Sequence, residues 1–376
     1  MAYQGNLILL VVLSIFALAT AVQLFFYLYF YLAVHTYRPS PSKTKKEPVS
    51  VIICARNEAE NLSNFLPAVL EQDYPDYEVI VVNDCSEDYS YDVLGKFLVQ
   101  YPHLRISTIN KDPKFTHNKK FAQFIGIKAA KNDILLFTDA DCQPGSDKWL
   151  ESITSHLDGE IAFVLGYGGY LREKGFLNKY IRYDSMTIAM QYMGMAIRGV
   201  PYMGVGRNLA YRRSVFFTNK GYGAHNHILS GDDDLFVNSN ATGKNTKVEF
   251  RKGTHTRSVP SSGLKEWLTQ KKRHLTTAPY YKLSDKLLLI TEPLTRIFFY
   301  CTLIVLLSTG FLWPIALALF GFRFITQITV FALIQKRLNE PGIIIFSLFF
   351  DIFSPVINSI IFLSNILTRP GKNRWK

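Results

Sequence analysis

The chain has 376 residues, 48% of them hydrophobic, and a formal net charge of +12, a length that suits one or two domains with a full core. Its excess of Lys and Arg points to anionic lipid head groups as partners, because nothing in the chain resembles a nucleic-acid-binding motif. The cysteines, Cys54, Cys85, Cys142 and Cys301, have no paired spacing, which argues against a zinc site and fits a reducing compartment.

The first element is a transmembrane helix within residues 1–38. No Lys, Arg, Asp or Glu precedes Arg38, and Leu7 to Val34 is nearly all apolar. Such a helix reaches roughly 40 Å, against roughly 30 Å for the bilayer core. A cleaved signal peptide would start basic and end in small residues. This segment instead ends in Phe25, Phe26, Tyr27, Tyr29, Phe30 and Tyr31, the composition of an aromatic interface belt. Arg38, Lys43, Lys45 and Lys46 crowd around the basic linker 39–48, which places the following domain in the cytoplasm.

Strands and helices then alternate over 49–286. Val49 to Ala55 reads as a buried parallel strand. Asn57 is placed to cap a helix whose inner face is Leu62, Phe65, Leu66, Val69 and Leu70. Tyr77 to Val82 and Leu104 to Ile109 are strands on either side of a helix marked by Val93, Leu94, Phe97 and Leu98. A helix over Lys119 to Ala130 leads into the strand Ile134 to Thr138, and Leu209 to Tyr211 is a later strand. This order predicts an α/β, doubly wound, mostly parallel sheet with ligands at the carboxyl ends of its strands. Near 263–276, Leu264, Trp267, Leu268 and Leu275 give one apolar side, as in a helix lying along a membrane surface.

From Leu287 to Leu367 the chain is again apolar and predicts about three C-terminal membrane helices. Two are joined by a tight turn near Thr309 to Pro314, and the third starts at about Ile343. Arg323 and Asp351 fall inside these segments, so either they face protein or water, with each other as one partner, or they lie at the interface. The tail 368–376 carries Arg369, Lys372, Arg374 and Lys376. Its charge conflicts with the orientation of the rest if the last segment crosses once. Either that segment is re-entrant or broken around Pro355, or the charge bias fails there.

Polar residues gather where the strands end: Ala55-Arg56-Asn57-Glu58, Asn83-Asp84 and Asp139-Ala140-Asp141. Several carboxylates at one sheet edge repel unless a cation offsets them, and a divalent metal shared with substrate phosphates does so. An Asp-x-Asp alone is a weak signal, since an Asp after a strand often only forms a turn. Its position after the fourth strand makes the functional reading the better one. Gly231-Asp232-Asp233-Asp234 adds a second acidic group, which also suits a helix N-terminus.

With these motifs in this order, residues 49 to about 281 resemble the catalytic domain of family 2 inverting glycosyltransferases. They most resemble the membrane-integrated branch that includes cellulose, chitin and hyaluronan synthases and ceramide glucosyltransferases. The resemblance implies a GT-A-type fold and a nucleotide-sugar donor, with a uridine nucleotide the family's usual choice. It implies a glycan or lipid acceptor, served at the cytoplasmic face of the plasma (inner) membrane.

Carried over residue by residue, the resemblance puts Mg2+ or Mn2+ on Asp139 and Asp141 and the base of the nucleotide near Ala55, Glu58 and Asp84. Lys119 opens a Lys-x-x-Ala helix start and, with Asp139, Gln270 and Arg273, is expected to bind the nucleotide-sugar; the Asn usual later in that helix is Phe124 here. Asp233 falls on the general base and Asp232 on its supporting acid, with the triple Asp leaving the register open by one residue. Gln270 and Arg273 match a Gln-x-x-Arg-Trp motif in which His274 stands for the Trp. Gly206 and Asn208 lie in a Gly-rich acceptor-side segment, and His274 falls on the same side. A single displacement at the anomeric carbon would invert its configuration.

The alternative is a catalytically inactive, transferase-like membrane protein acting in polysaccharide assembly; it would need one of Asp139, Asp141 or Asp233 to be missing. A nucleotidyltransferase would show a Gly-rich loop where Ala55-Arg56-Asn57-Glu58 stands. Cys54, Cys85 and Cys142 each close a strand feeding this site, so thiol reagents are expected to inactivate, unless these are packing residues. Nothing in the chain speaks to its oligomeric state.

Overall fold

The computed structural model describes residues 2–40, 46–111, 118–226, 228 and 230–367, the side chains of 2–5 excepted. Lys43, Lys45 and the basic tail 368–376 lie outside the described residues. Helix α1 (Ala2–Phe25) continues through a wider π-helical stretch, Phe26–Tyr31, into α2 (Leu32–Thr36). Then come β1 (Val49–Ala55), α3 (Ala59–Leu70), β2 (Tyr77–Asp84), α4 (Ser90–Gln100), β3 (Leu104–Ile109), α5 (Lys119–Ala129) and β4 (Ile134–Asp139). Next are β5 (Cys142–Pro144), α6 (Trp149–Thr154), β6 (Phe163–Gly166), β7 (Gly168–Tyr170) and α7 (Phe176–Ile197). The unit closes with β8 (Leu209–Arg212), α8 (Arg213–Thr218), α9 (Asp234–Asn240), β9 (Thr246–Glu249), β10 (Thr256–Ser258) and α10 (Leu264–Leu275). Three long helices follow: α11 (Leu283–Thr309), α12 (Trp313–Arg337) and α13 (Ile344–Leu367).

The main sheet has the order β3-β2-β1-β4-β8-β6-β9. β1 pairs in parallel with β2 and β4, and β2 with β3, whereas β8 runs antiparallel to β4 and β6. All of β1 is buried, as a strand covered on both faces must be. The chain winds outward from β1 to β3, then returns through α5 to β4 on the other side of β1. The strand order therefore reverses between β1 and β4, the point where open α/β sheets leave a crevice at their carboxyl ends. The expected mostly parallel, doubly wound sheet is present, with one N-terminal and three C-terminal apolar helices. The small sheet β5-β10-β7 was not visible in the sequence pattern, because its three-residue strands are too short to show a period.

Two further expectations change. Asn57 does not cap α3: its side-chain Oδ1 accepts from Glu87 N at 2.8 Å, and its backbone is left-handed, φ 54°. The amides at the start of α3 are satisfied from the β2–α4 loop instead, Glu58 N by Ser90 Oγ and Ala59 N by Asp88 Oδ2, each at 3.0 Å. The aromatic run closing the first helix is not a lipid-facing belt either. Phe26, Tyr27, Phe30 and Tyr31 are buried, and only Phe25 and Tyr29 are exposed. They pack into the core shared with α7 and α12. Gly194 of α7 makes this approach possible, since a Cβ there would lie 2.3 Å from Phe30 O.

Four helices, at Asn6–Thr36, Leu283–Thr309, Trp313–Arg337 and Ile344–Leu367, are long and apolar enough to cross a membrane. The charges within them meet each other. Arg323 Nη2 lies 2.9 Å from Asp351 Oδ2, and Arg296 Nη1 lies 3.1 Å from Asp351 Oδ1. Tyr300 OH donates to Asp351 Oδ2 at 2.6 Å, and Arg323 Nη1 donates to Gln327 Oε1 at 2.7 Å. α13 is continuous through Pro355. Its approach is anchored by Arg182 Nε–Glu340 Oε2 at 2.7 Å, and its far end by Asn365 Nδ2 donating to Lys272 O of α10 at 2.8 Å.

Candidate active site

The carboxyl ends of β1, β2 and β4 bring Ala55, Asp84 and Asp139 to one edge of the sheet. Ala55 ends β1 opposite Asn83 of β2, with Asp84 next in line. Ala55 and Asp84 are fully buried and Glu58 nearly so. The two strand ends interlock: Asn57 and Cys85 both have left-handed backbones, φ 54° and 53°, and Asn57 N donates to Ser86 Oγ at 2.9 Å. Non-glycine residues in that conformation are costly and concentrate at functional sites. The sequence gives no sign of it.

Asp139 ends β4, and Lys119, the first residue of α5, donates from Nζ to Asp139 Oδ1 at 2.5 Å. Burial opposes ionisation of Asp139, but the Lys119 ammonium outweighs it and holds the carboxyl below its usual range, with Arg207 and Arg273 helping. Lys119 in turn is pushed up: burial works against its charge, and Asp139, Asp232 and Asp233 override burial. One ammonium thus sits among acids from strand four and from the distant triplet. Asp141 accepts from Ser258 Oγ at 2.8 Å through Oδ2. Asp139, Asp141 and Cys142 bring their donor atoms within 4.8 Å of one another. Burial, then the charges of Asp141 and Asp139, push the Cys142 thiol well up, so it stays protonated and points at Asp141 Oδ1 at 3.4 Å. The donor set offered to a cation is therefore two carboxylates, which suits a hard divalent ion with phosphate and water completing its shell.

Gly231, φ 94°, turns the chain into the acid triplet, a conformation that favours glycine. The three acids differ in their partners. Asp234 turns inward, where Tyr281 OH donates to its Oδ2 at 2.8 Å and Thr277 Oγ1 donates to the same atom. Asp233 Oδ2 accepts from Gly206 N at 2.6 Å, and its Oδ1 accepts from Asp234 N at 2.7 Å. Burial, then the charges of Asp232 and Asp234, raise Asp233 to about 7, with Lys119 opposing. Asp232 is buried, and its Oδ2 has no hydrogen-bond partner among the described residues.

Gln270 Oε1 accepts from Ser261 Oγ at 3.3 Å on α10. The His274 ring is exposed to the cleft, yet the surrounding protein and the cations Arg273, Arg207, Lys271 and Lys119 hold its imidazole well below the usual range. It is neutral. α10 itself is pinned by Lys271 Nζ, which donates to both oxygens of Asp184 at 2.7 and 2.6 Å.

One site expectation is corrected. Asn208 does not face an acceptor: it is fully buried, its Oδ1 takes Trp149 Nε1 at 3.0 Å, and its Nδ2 donates to Tyr167 O and Thr254 O at 2.8 Å each. Its amide is spent on holding β8 to the small sheet. The thiol expectation also narrows. Burial pushes Cys54 and Cys142 far up, which makes them poor nucleophiles; of the three, only Cys85 is partly exposed.

Sequence reasoning missed Lys120. Fully buried beside Lys119, it donates from Nζ to His225 O and Ile228 O at 2.9 Å each, fixing the loop that leads to the triplet. Its charge beside an aromatic-rich loop would have been the available signal. It also missed Arg207, whose guanidinium lies 4.4 Å over the Tyr170 ring and whose Nε donates to Gly168 O at 3.0 Å.

Residues 50–217 match glycosyl transferase family 2. This segment is a family 2 glycosyl transferase domain. The chain is 32% identical over 195 residues to glycosyltransferase AglE of Haloferax volcanii, covering 49% of this chain and 58% of that one. It is 28% identical over 200 residues to the probable glycosyltransferase YdaM of Bacillus subtilis, covering 50% and 46%. The chain thus spans about half the length of the curated relatives it matches. The fold is shared with the mannosyltransferase PcManGT of Pyrobaculum calidifontis, solved with GDP-Man and Mn2+. The TM-score is 0.58 at 17% identity, over 91% of this chain and 99% of that one. Strands β2 to β4 and β8, and β1 but for its first residue, fall inside the matched segment of this glycosyl transferase domain, whereas the acid triplet and α10 lie beyond it.

Proposed function

We propose that the protein is a membrane-bound, inverting glycosyltransferase that moves a sugar from a nucleoside-diphospho-sugar to a glycan or lipid acceptor. The observation that carries this is the Lys119 ammonium, electrostatically tied to Asp139 on one side and to Asp232 and Asp233 on the other. Acids some ninety residues apart in the chain converge there around one cation.

In this reading Ala55, Glu58 and Asp84 receive the nucleoside at the crevice floor. Asp139 and Asp141 hold Mg2+ or Mn2+, which when bound offsets the charge of the diphosphate. Lys119 and Arg273 add positive charge on the leaving side, where a guanidinium can take two phosphate oxygens at once. Asp233 stands across the site with Gly206 fixing its Oδ2, and takes the acceptor hydroxyl proton as that oxygen attacks the anomeric carbon from the opposite face. A side chain titrating near 7 suits that exchange. Neutral His274 and Gly206 border the acceptor side.

The cytoplasmic placement rests on where the basic residues meet. Arg337 Nη2 donates to Tyr37 O at 3.1 Å, bringing Arg38, Lys336 and Arg337 together at the end of the bundle that joins the α/β unit. Such clusters stay cytoplasmic. The test is to incubate membranes carrying the protein with a panel of nucleotide-sugars and Mn2+ and to measure released nucleotide. Asp141→Asn and Asp233→Asn should both abolish release, and only Asp141→Asn should weaken metal-dependent nucleotide binding, by about tenfold or more. Full release by either variant would defeat the assignment.

A further inference from the structure

A cavity of about 420 Å³ opens where the loop 172–175 before α7 faces the turn 341–342 before α13. That volume lies within the roughly 300–1,000 Å³ of small-molecule sites. Its wall carries Arg172, Lys174, Lys179 and Arg182 against a single acid, Glu173. Arg182 forms the buried part: Nε donates to Glu340 Oε2 at 2.7 Å and Nη2 to Pro341 O at 2.9 Å. Its Nη1 has no partner among the described residues. Glu340 also serves Arg257 and Tyr167 OH, so one buried carboxylate faces two guanidiniums and cannot neutralise both. Arg172 and Lys174 are exposed at the rim, and the Lys179 ammonium lies 4.0 Å from the Phe346 ring centroid. Gly175 and Gly342 contribute no side chain to fill the space.

The apolar surface beside it has a direction. Ile345, Phe349, Ile352, Val356, Ile360 and Leu363 are all exposed and recur every three or four residues, so they form one stripe along α13. The stripe begins at the cavity, where Phe176 meets Phe346 and Phe349 edge-on with centroids 6.2 and 6.4 Å away. We propose that the cavity seats the phosphate head group of an anionic membrane phospholipid, whose acyl chains lie along this stripe. A soluble phosphate would use the cations and ignore the stripe. The inference is independent of sugar transfer.

The test is native mass spectrometry of the full chain in non-ionic detergent, titrated with dioleoylphosphatidylglycerol or dioleoylphosphatidylcholine. Wild type should favour the anionic lipid by at least about tenfold. R172E/K174E should erase that preference, while the distant exposed pair K96E/K244E should keep it. Thermal melts of both variants should match wild type, since all four side chains are exposed. An unchanged preference in R172E/K174E would overturn the site. Displacement of the lipid by millimolar inorganic phosphate would overturn the lipid assignment.

Discussion

Asp232→Asn should leave turnover in place and move its acid limb to lower pH, whereas Asp233→Asn should abolish turnover. Asp233 titrates at about 7 rather than at the ordinary 3.8, a separation of about 4 kcal/mol at about 1.4 kcal/mol per pH unit. Burial is the largest cause, the Asp232 charge comes next, Asp234 adds to it, and Lys119 opposes. The sign follows directly. A base with a raised pKa carries its proton below about pH 7, so kcat/KM climbs through that value and levels off above it. Removing the Asp232 charge takes away one like-charge neighbour and leaves burial, so the limb should fall by about one to two pH units without reaching 3.8. The assay is nucleotide release across the limb and plateau at fixed, saturating Mn2+, so that a cation on Asp139 and Asp141 would act on both profiles alike. An unmoved limb in Asp232→Asn would refute the electrostatic account. A dead Asp232→Asn beside an active Asp233→Asn would exchange the two roles and give the proton to the unpartnered Asp232 Oδ2.

Lys120→Met removes the shared donor of two carbonyls, each worth about 1–3 kcal/mol when left unsatisfied. It should lower the melting temperature and kcat while the KM for donor changes little, with Lys120→Arg recovering part of both; unchanged kcat would show that the 225–228 loop needs no latch. Asp351→Leu leaves Arg323 without its carboxylate and should cost about 3–5 kcal/mol, and Arg323→Met with Asp351→Leu should recover much of it. Denaturation in mild detergent measures both, and an equally unstable double variant would mean packing is at stake. Leu367→Cys should react with an impermeant maleimide from the same side of sealed vesicles as the α/β domain, because the turn before α13 and the last turn of α13 are both hydrogen-bonded to that domain. Labelling only from the opposite side would make α13 a true crossing.

What could be read beforehand follows from which interactions are local. The strands β1, β2 and β4 announce themselves because buried parallel strands are continuous apolar runs. The membrane helices do so because length and charge exclusion are compositional. The acids of the crevice were legible only through their order along the chain. Asn208 was misread because the resemblance of its Gly-rich segment put it on the acceptor side, whereas its partners, Trp149, Tyr167 and Thr254, lie forty to sixty residues away. The triplet shows the same limit. Sequence cannot say which of three consecutive acids is spent on structure; Thr277 and Tyr281 engage Asp234, which leaves Asp232 and Asp233 for the proposed proton transfer.

That division of the triplet has a consequence for how the site and the membrane depend on each other. Asp234 keeps its charge buried because donors from the segment just before α11 reach it, and a hydrogen bond to a charged group contributes about 1.5–3 kcal/mol. Asn238, one turn further along α9, donates to Asp285 inside α11 at 2.7 Å. Lys271 ties α10, with Gln270, Arg273 and His274, to α7, and α7 is the helix that receives Phe30 and its neighbours from the first membrane segment. The wall carrying the proposed base and the wall carrying Arg273 are thus each held by the long apolar helices or by elements packed on them. If α11 shifted relative to the sheet, Asp234 would lose its donors and three like charges would crowd one turn. The apolar helices and the segment leading into them are therefore built into the acid wall: Thr277, Tyr281 and Asp285 engage α9 directly.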